Sequence, residues 1–181
     1  MAHPQMTWFS VVIGVIALLF AAEKLAAAAP ELDDATILAI FDQANTTDIW
    51  VGRLGAKMGT SEEVRMLGKM VAQEHEQVQQ RGRDLAKRLK IMPTPPTNDA
   101  SAGDLAKTIA MLQSKAGSEF DVAYLRHELG YHQSVINALK TTLIPAIKNE
   151  ELRSFVSKLV PGFEHHLGET RAVAQRLGAE P

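Results

Sequence analysis

The chain has 181 residues, with 19 Lys plus Arg against 21 Asp plus Glu, a formal net charge of −2 and no cysteine. Setting aside about thirty residues of apolar N-terminus leaves roughly 150, which suits a single domain with one core. The charge balance excludes the basic face that phosphate backbones require, so nucleic acid is not a partner, and the missing cysteines exclude disulfides, thiolate metal ligands and a cysteine nucleophile.

Met6 to Ala22 reads MTWFSVVIGVIALLFAA without a charge. At ~1.5 Å per residue this stretch spans about 25 Å, close to a hydrocarbon core of ~30 Å, and Trp8 and Lys24 can extend the fit at either end. A cleavable signal would use the small residues Ala26 to Ala29 as its processing site. The preceding MAHPQ carries no Lys or Arg, however, which favours an anchor over a cleaved signal. Residues 1–29 are therefore expected to form a single N-terminal transmembrane helix in contact with lipid through residues 6–22. Residues 30–181 would then be the globular part, on the periplasmic face of a bacterial inner membrane.

After Pro30, Ile37, Ile40, Phe41, Ala44, Val51, Leu54 and Met58 recur at helical spacing, with Asp33 or Asp34 as cap and Gly59 as stop. Thr60 with Glu63 reads as a capping box opening a second helix to about Ile91, striped by Val64, Leu67, Val71, Val78, Leu85 and Leu89. Residues 92–103, MPTPPTNDASAG, form the one clear connection. A short helix over 104–113 follows. A long third helix then runs from Ser118 to Leu143, ended by Pro145, with Phe120, Tyr124, Val135 and Leu139 inward. Asn149 caps the last helix, which carries Pro161 in its interior and stops at Gly178. Four amphipathic helices with one long connection predict an all-α, ferritin-like four-helix bundle.

Several motifs carry a resemblance. Asp48-Ile49-Trp50-Val51-Gly52-Arg53-Leu54, Ser61-Glu62-Glu63-Val64 followed by Glu74-His75, Phe120-Asp121-x-x-Tyr124 followed by His132, and Pro161-x-Phe163-x-x-His166 occur in order. Over residues 36 to 176 the chain resembles the family known as domain of unknown function 4142. That family usually has Glu at the position of Asp48 and Asp at the position of Glu74. The resemblance implies an exported ferritin-like bundle and says little about activity.

His75, His132 and His166 each fall on or beside the apolar stripe of a different helix, and Asp48 does so on the fourth. Three imidazoles and a carboxylate at the centre of a bundle suit Fe, Mn, Zn or Cu. The Glu-x-x-His pairs of dinuclear bundles are missing, since Glu128 stands four residues before His132 and Glu74 directly precedes His75. Against a mononuclear site at Asp48, His75, His132 and His166 stands a bland reading, favoured on sequence. In it these groups join Asp121 and Tyr124 in a buried hydrogen-bond network with no cofactor required. His127 and His165 read as surface, Trp50 as core ahead of a partner-facing aromatic anchor, Met58, Met66, Met70 and Met111 as packing, and the cations Arg81, Arg83, Lys87, Arg88 and Lys90 as a solvated helix end. The functional expectation is a non-catalytic accessory subunit of a respiratory or photosynthetic membrane complex, with integral-membrane protein partners. The alternative is a metal-binding bundle in metal handling or oxidative defence.

Overall fold

The computed structural model describes residues 32–179, all of whose regular structure is helical. Helices α1 (Asp34–Met58), α2 (Glu62–Leu89), α3 (Ser101–Gln113), α4 (Gly117–Ala138), α5 (Ile144–Ala146) and α6 (Glu150–Arg176) follow one another, with a π-turn at Leu139–Leu143 joining α4 to α5. The apolar segment 6–22 lies outside the described residues. No described helix is long and apolar enough to cross a membrane.

Local chemistry sets the helix ends. Asp33 caps α1 by accepting from the Thr36 N–H at 2.7 Å. Its neighbour Asp34 instead accepts from the backbone N–H groups of Lys148 and Asn149 at 2.8 and 2.9 Å, fastening the start of α1 to the turn before α6. The expected capping box shifts by one residue. Ser61, not Thr60, caps α2 through the Val64 N–H at 3.1 Å, and Glu63 pairs with Arg176 at 2.7 Å. Helix α2 stops at Leu89 because Lys90 turns left-handed at φ 56°. Pro145 does not end the third helical stretch. A π-turn precedes it and the chain continues to Ala146, with Pro145 in the first turn of α5, where a missing N–H is tolerated. Asn149 caps α6 as expected, accepting from Leu152 N–H at 3.0 Å.

Helices α1 and α2 pack backbone to backbone. A Cβ built on Gly68 would come within 2.5 Å of Ala56 N and Gly52 O, so only glycine permits this approach. The apolar residues divide into two clusters at different heights along the bundle. One joins Ile37, Phe41, Leu85, Leu139, Leu152 and Phe163, and the other joins Val51, Val64, Phe120, Leu125 and Val173. Between those levels every long helix contributes buried polar residues: Asn45 and Asp48 from α1, His75 and Gln79 from α2, Glu128 and His132 from α4, and His166 and Thr170 from α6. A polar layer thus crosses the middle of the core. Several expectations about the rim change. Trp50 is 51% exposed beneath the Arg53 guanidinium, 5.6 Å from its ring centroid, and Met66 is 65% exposed.

Candidate metal centre

Helical spacing explains why these side chains meet. Asp48 falls between Asn45 and Val51 on the inner face of α1, and Tyr124, Glu128 and His132 form an i, i+4, i+8 line along α4. The structure brings together all four residues singled out from the sequence. One ligand atom each from His75, His132 and His166 lies within 4.8 Å of the other two, and the same holds for Asp48, Glu128 and His132, so His132 belongs to both groups. Relative exposures of 0 to 3% place all five residues out of solvent. Phe163 closes one side, its ring 5.1 Å from that of His75.

The hydrogen bonds fix the imidazoles. Asn45 donates from Nδ2 to the Phe41 carbonyl at 2.7 Å, so its Oδ1 is the acceptor for His75 Nδ1 at 2.9 Å. That leaves the lone pair of a neutral His75 on Nε2. His132 donates from Nδ1 to the Glu128 carbonyl at 3.1 Å, and its Nε2 is buried without a partner. His166 Nε2 meets Glu74 Oε2 at 2.9 Å, which turns Nδ1 inward, 3.1 Å from His75 Nε2. The run Asn45–His75–His166–Glu74 therefore contains three contacts that need three protons, while two neutral imidazoles supply two. With those two protons on the outer nitrogens, two inward lone pairs face each other, an arrangement that a cation between them would satisfy. Their 3.1 Å separation is close to the edge of about 3.3 Å expected between two nitrogens bound tetrahedrally to one ion at ~2.0–2.1 Å.

A proton is a poor occupant of that position. Burial pushes His75 well below the ordinary imidazole range, and the neighbouring His166 and His132 add to the shift. Burial also lowers His166, with Glu74 opposing. On the other side, burial drives Asp48 up to about 8. Burial works against a charged His132 too, yet the facing Asp48 and the Glu128 contacts outweigh it and raise His132 to about 9. Its Nε2 is 3.9 Å from Asp48 Oδ1, and Asp48 Oδ2 lies 3.4 Å from His75 Nδ1. Neither oxygen of Asp48 and neither of Glu128 accepts a well-formed hydrogen bond; the nearby donor of Glu128 is His132 Nδ1, 3.3 Å from Oε2.

The network expected from sequence does not form in that shape. Asp121 is elsewhere, accepting from the Thr60 and Ser61 N–H groups at the α1–α2 turn, each at 2.8 Å. Tyr124 Oη is buried with no partner. His127 is not a surface residue: it is half-buried, stacked on Tyr131 at 5.5 Å, with its Nε2 shut off from solvent and from donors. His165 is exposed, as expected. Sequence reasoning missed Asn45, Glu74 and Glu128. The periodic signal for Glu128 was present, since it shares a face with His132, whereas Glu74 leaves the stripe and is found only from its contact across to α6.

The described residues thus form an all-helical bundle crossed by a buried layer of three histidines and two carboxylates, groups of the kind that could hold a metal ion. A family model, Domain of unknown function (DUF4142), matches residues 20–173, and the chain belongs to that family. Comparison with curated proteins and with solved structures gave no match.

Proposed function

We propose that this chain is a ferritin-like metal-binding bundle whose mid-core layer holds one divalent transition-metal ion through His75, His132, His166 and Asp48, with Glu128 beside them. One observation carries the reading: each imidazole has one nitrogen engaged, His75 by the Asn45 amide, His132 by the Glu128 carbonyl and His166 by the Glu74 carboxylate, and the other turned toward the remaining histidines. Outer acceptors of this kind fix the tautomer and aim the ligand. The poorly satisfied oxygens of Asp48 and Glu128 add to it: each carboxylate faces an imidazole nitrogen, at 3.4 and 3.3 Å, and accepts no well-formed hydrogen bond, whereas buried carboxylates ordinarily find donors or a cation. Imidazole with carboxylate suits Zn, Fe, Mn or Cu, and Irving–Williams order favours Cu and Zn at equal availability. The role that follows is metal handling or protection against metal-driven oxidation. An anchor formed by residues 6–22 would hold such a bundle at a membrane, beside integral-membrane partners, without altering the site.

Metal analysis of the chelated and reloaded protein tests this. One equivalent of ion is expected in the wild type and none in a His75→Ala, His132→Ala double variant whose helical circular dichroism is retained. Stoichiometric uptake that survives in the double variant would sink the assignment.

A further inference from the structure

The ligand layer has to exchange ions with solvent although its five members are buried, and its surroundings offer few routes. The α1–α2 face is closed by glycine-to-backbone contact at Gly52 and Gly68. Along α4, polar contacts end inside the protein: His132 Nδ1 stops at the Glu128 carbonyl and Tyr131 Oη at the Ala44 carbonyl. At the α2–α6 seam the contacts continue outward instead. His75 meets His166, and His166 meets Glu74, whose side chain is 49% exposed.

The stretch of α6 that carries His166 is also rich in residues of low helix propensity. Pro161 removes a backbone hydrogen bond from the helix interior, and Gly162 and Gly168 lie on either side of His166. Neither glycine is required by packing, because a Cβ on either would meet nothing within 4 Å. Each costs about 1 kcal/mol of helix stability relative to alanine. Three helix-weakening residues within eight positions therefore surround the one histidine that bridges cluster and surface.

We propose that Glu74 and His166 form the entry port of the site: a hydrated divalent cation is captured by the Glu74 carboxylate and passed inward as His166 swings on the Pro161–Gly168 segment of α6. The inference rests on the metal reading above. Glu74 then acts as a positioning residue at the rim rather than as a final ligand. A carboxylate placed at the mouth of a low-dielectric passage raises the local cation concentration and the rate of entry. The two glycines lower the barrier for moving His166 without contributing to the bound state.

Stopped-flow loading of the full chain with Co(II), followed by the visible ligand-field bands and by release to a chelator, reads both rates. Glu74→Gln is expected to slow association by about tenfold or more without speeding dissociation. Glu74→Asp, which keeps the carboxylate, should recover most of the lost rate. Gly168→Ala should slow association and dissociation together and leave the dissociation constant unchanged. The port is overturned if Glu74→Gln associates like the wild type, or if its affinity falls only through faster dissociation, which would make Glu74 a simple orienting partner of His166. Failure of the wild type to take up Co(II) or Zn(II) at all overturns the metal reading, and the port with it.

Discussion

Two buried aspartates in this bundle have opposite surroundings. Asp121, 6% exposed, sits at the end of the molecule where α1 turns into α2 and takes the backbone N–H groups of Thr60 and Ser61, both at 2.8 Å. Asp48, 1% exposed, sits in the middle layer and takes no well-formed hydrogen bond; it faces His75 Nδ1 at 3.4 Å and His132 Nε2 at 3.9 Å. The first carboxylate offsets its desolvation with two charge-assisted bonds and locks a turn. The second is left with unused lone pairs and pushed by burial to about 8. Burial alone therefore does not separate a structural acid from a ligand; the supply of donors does.

The largest effect expected is at the clamp. Asp121→Ala strands two N–H groups at the α1–α2 turn, and losing two charge-assisted bonds should cost about 3 kcal/mol. In a domain of this size that lowers Tm by about 6–12 °C. A change of only a degree or two in thermal unfolding would mean that the turn holds itself.

Next in size is the pH dependence of the metal-free protein. Asp48 and His132 are both raised, from 3.8 to about 8 and from 6.5 to about 9, so the folded chain keeps protons that the unfolded chain has released. Stability from such groups is complete below their unfolded values and is lost as pH rises through the folded ones. His75, His127 and His166 are lowered and act in the opposite sense, but only near and below the ordinary imidazole range, where unfolded histidine still binds protons. Between pH 7 and 9 the unfolding free energy from denaturant titrations should therefore fall, by on the order of 1 kcal/mol per pH unit for each retained proton. Asp48→Asn should flatten that slope as a whole, because it removes one retained proton and the carboxylate that does most to raise His132. A profile that is level from 7 to 9 in the wild type would show that the middle layer holds no extra protons.

The same contrast explains what could be read before the fold was known. Period-3.6 stripes located every long helix and put His75, His132, His166 and Asp48 inside, because side-chain direction follows from spacing. Spacing carries no information about donors. It therefore grouped Asp121 with Asp48, although one is spent on a turn sixty residues away and the other is not. Glu128 was judged by its failure to make Glu-x-x-His, when its position four residues from both Tyr124 and His132 already placed it on the buried face. Glu74 was beyond reach, since a long side chain leaving its own stripe finds His166 only through the packing of α2 against α6. Trp50 went the other way, from core on paper to half-exposed on the surface, because one aromatic beside an acidic inner-face residue fits either side of a helix.

Smaller effects sharpen the comparison at the middle layer. Asp48→Asn in the metal-free protein at pH 9, where the acid is ionised, should leave stability unchanged or raise it by about 1 kcal/mol, since a buried carboxylate without well-formed donors is replaced by a neutral isostere. Metal should then no longer raise Tm, whereas wild type at a hundred times its dissociation constant gains about 2.7 kcal/mol. A marked loss of metal-free stability in this variant would assign Asp48 the structural role of Asp121.

The smallest change expected is at Tyr124. Its ring is packed so closely against α1 that a Cβ on Gly55 would lie 2.5 Å from Cε2, and it stacks on Phe120 at 6.1 Å. Burial and the nearby Glu128 and Asp48 keep the phenol neutral. Its hydroxyl, fully buried and unpaired, is then a desolvated polar group with no compensating bond. Tyr124→Phe keeps the ring contacts and deletes only that group, so the metal-free variant should unfold within about 1 kcal/mol of the wild type, on the stable side if anywhere. A loss beyond that, appearing only after metal is added, would make the hydroxyl a donor to the loaded centre and extend the ligand layer one turn along α4.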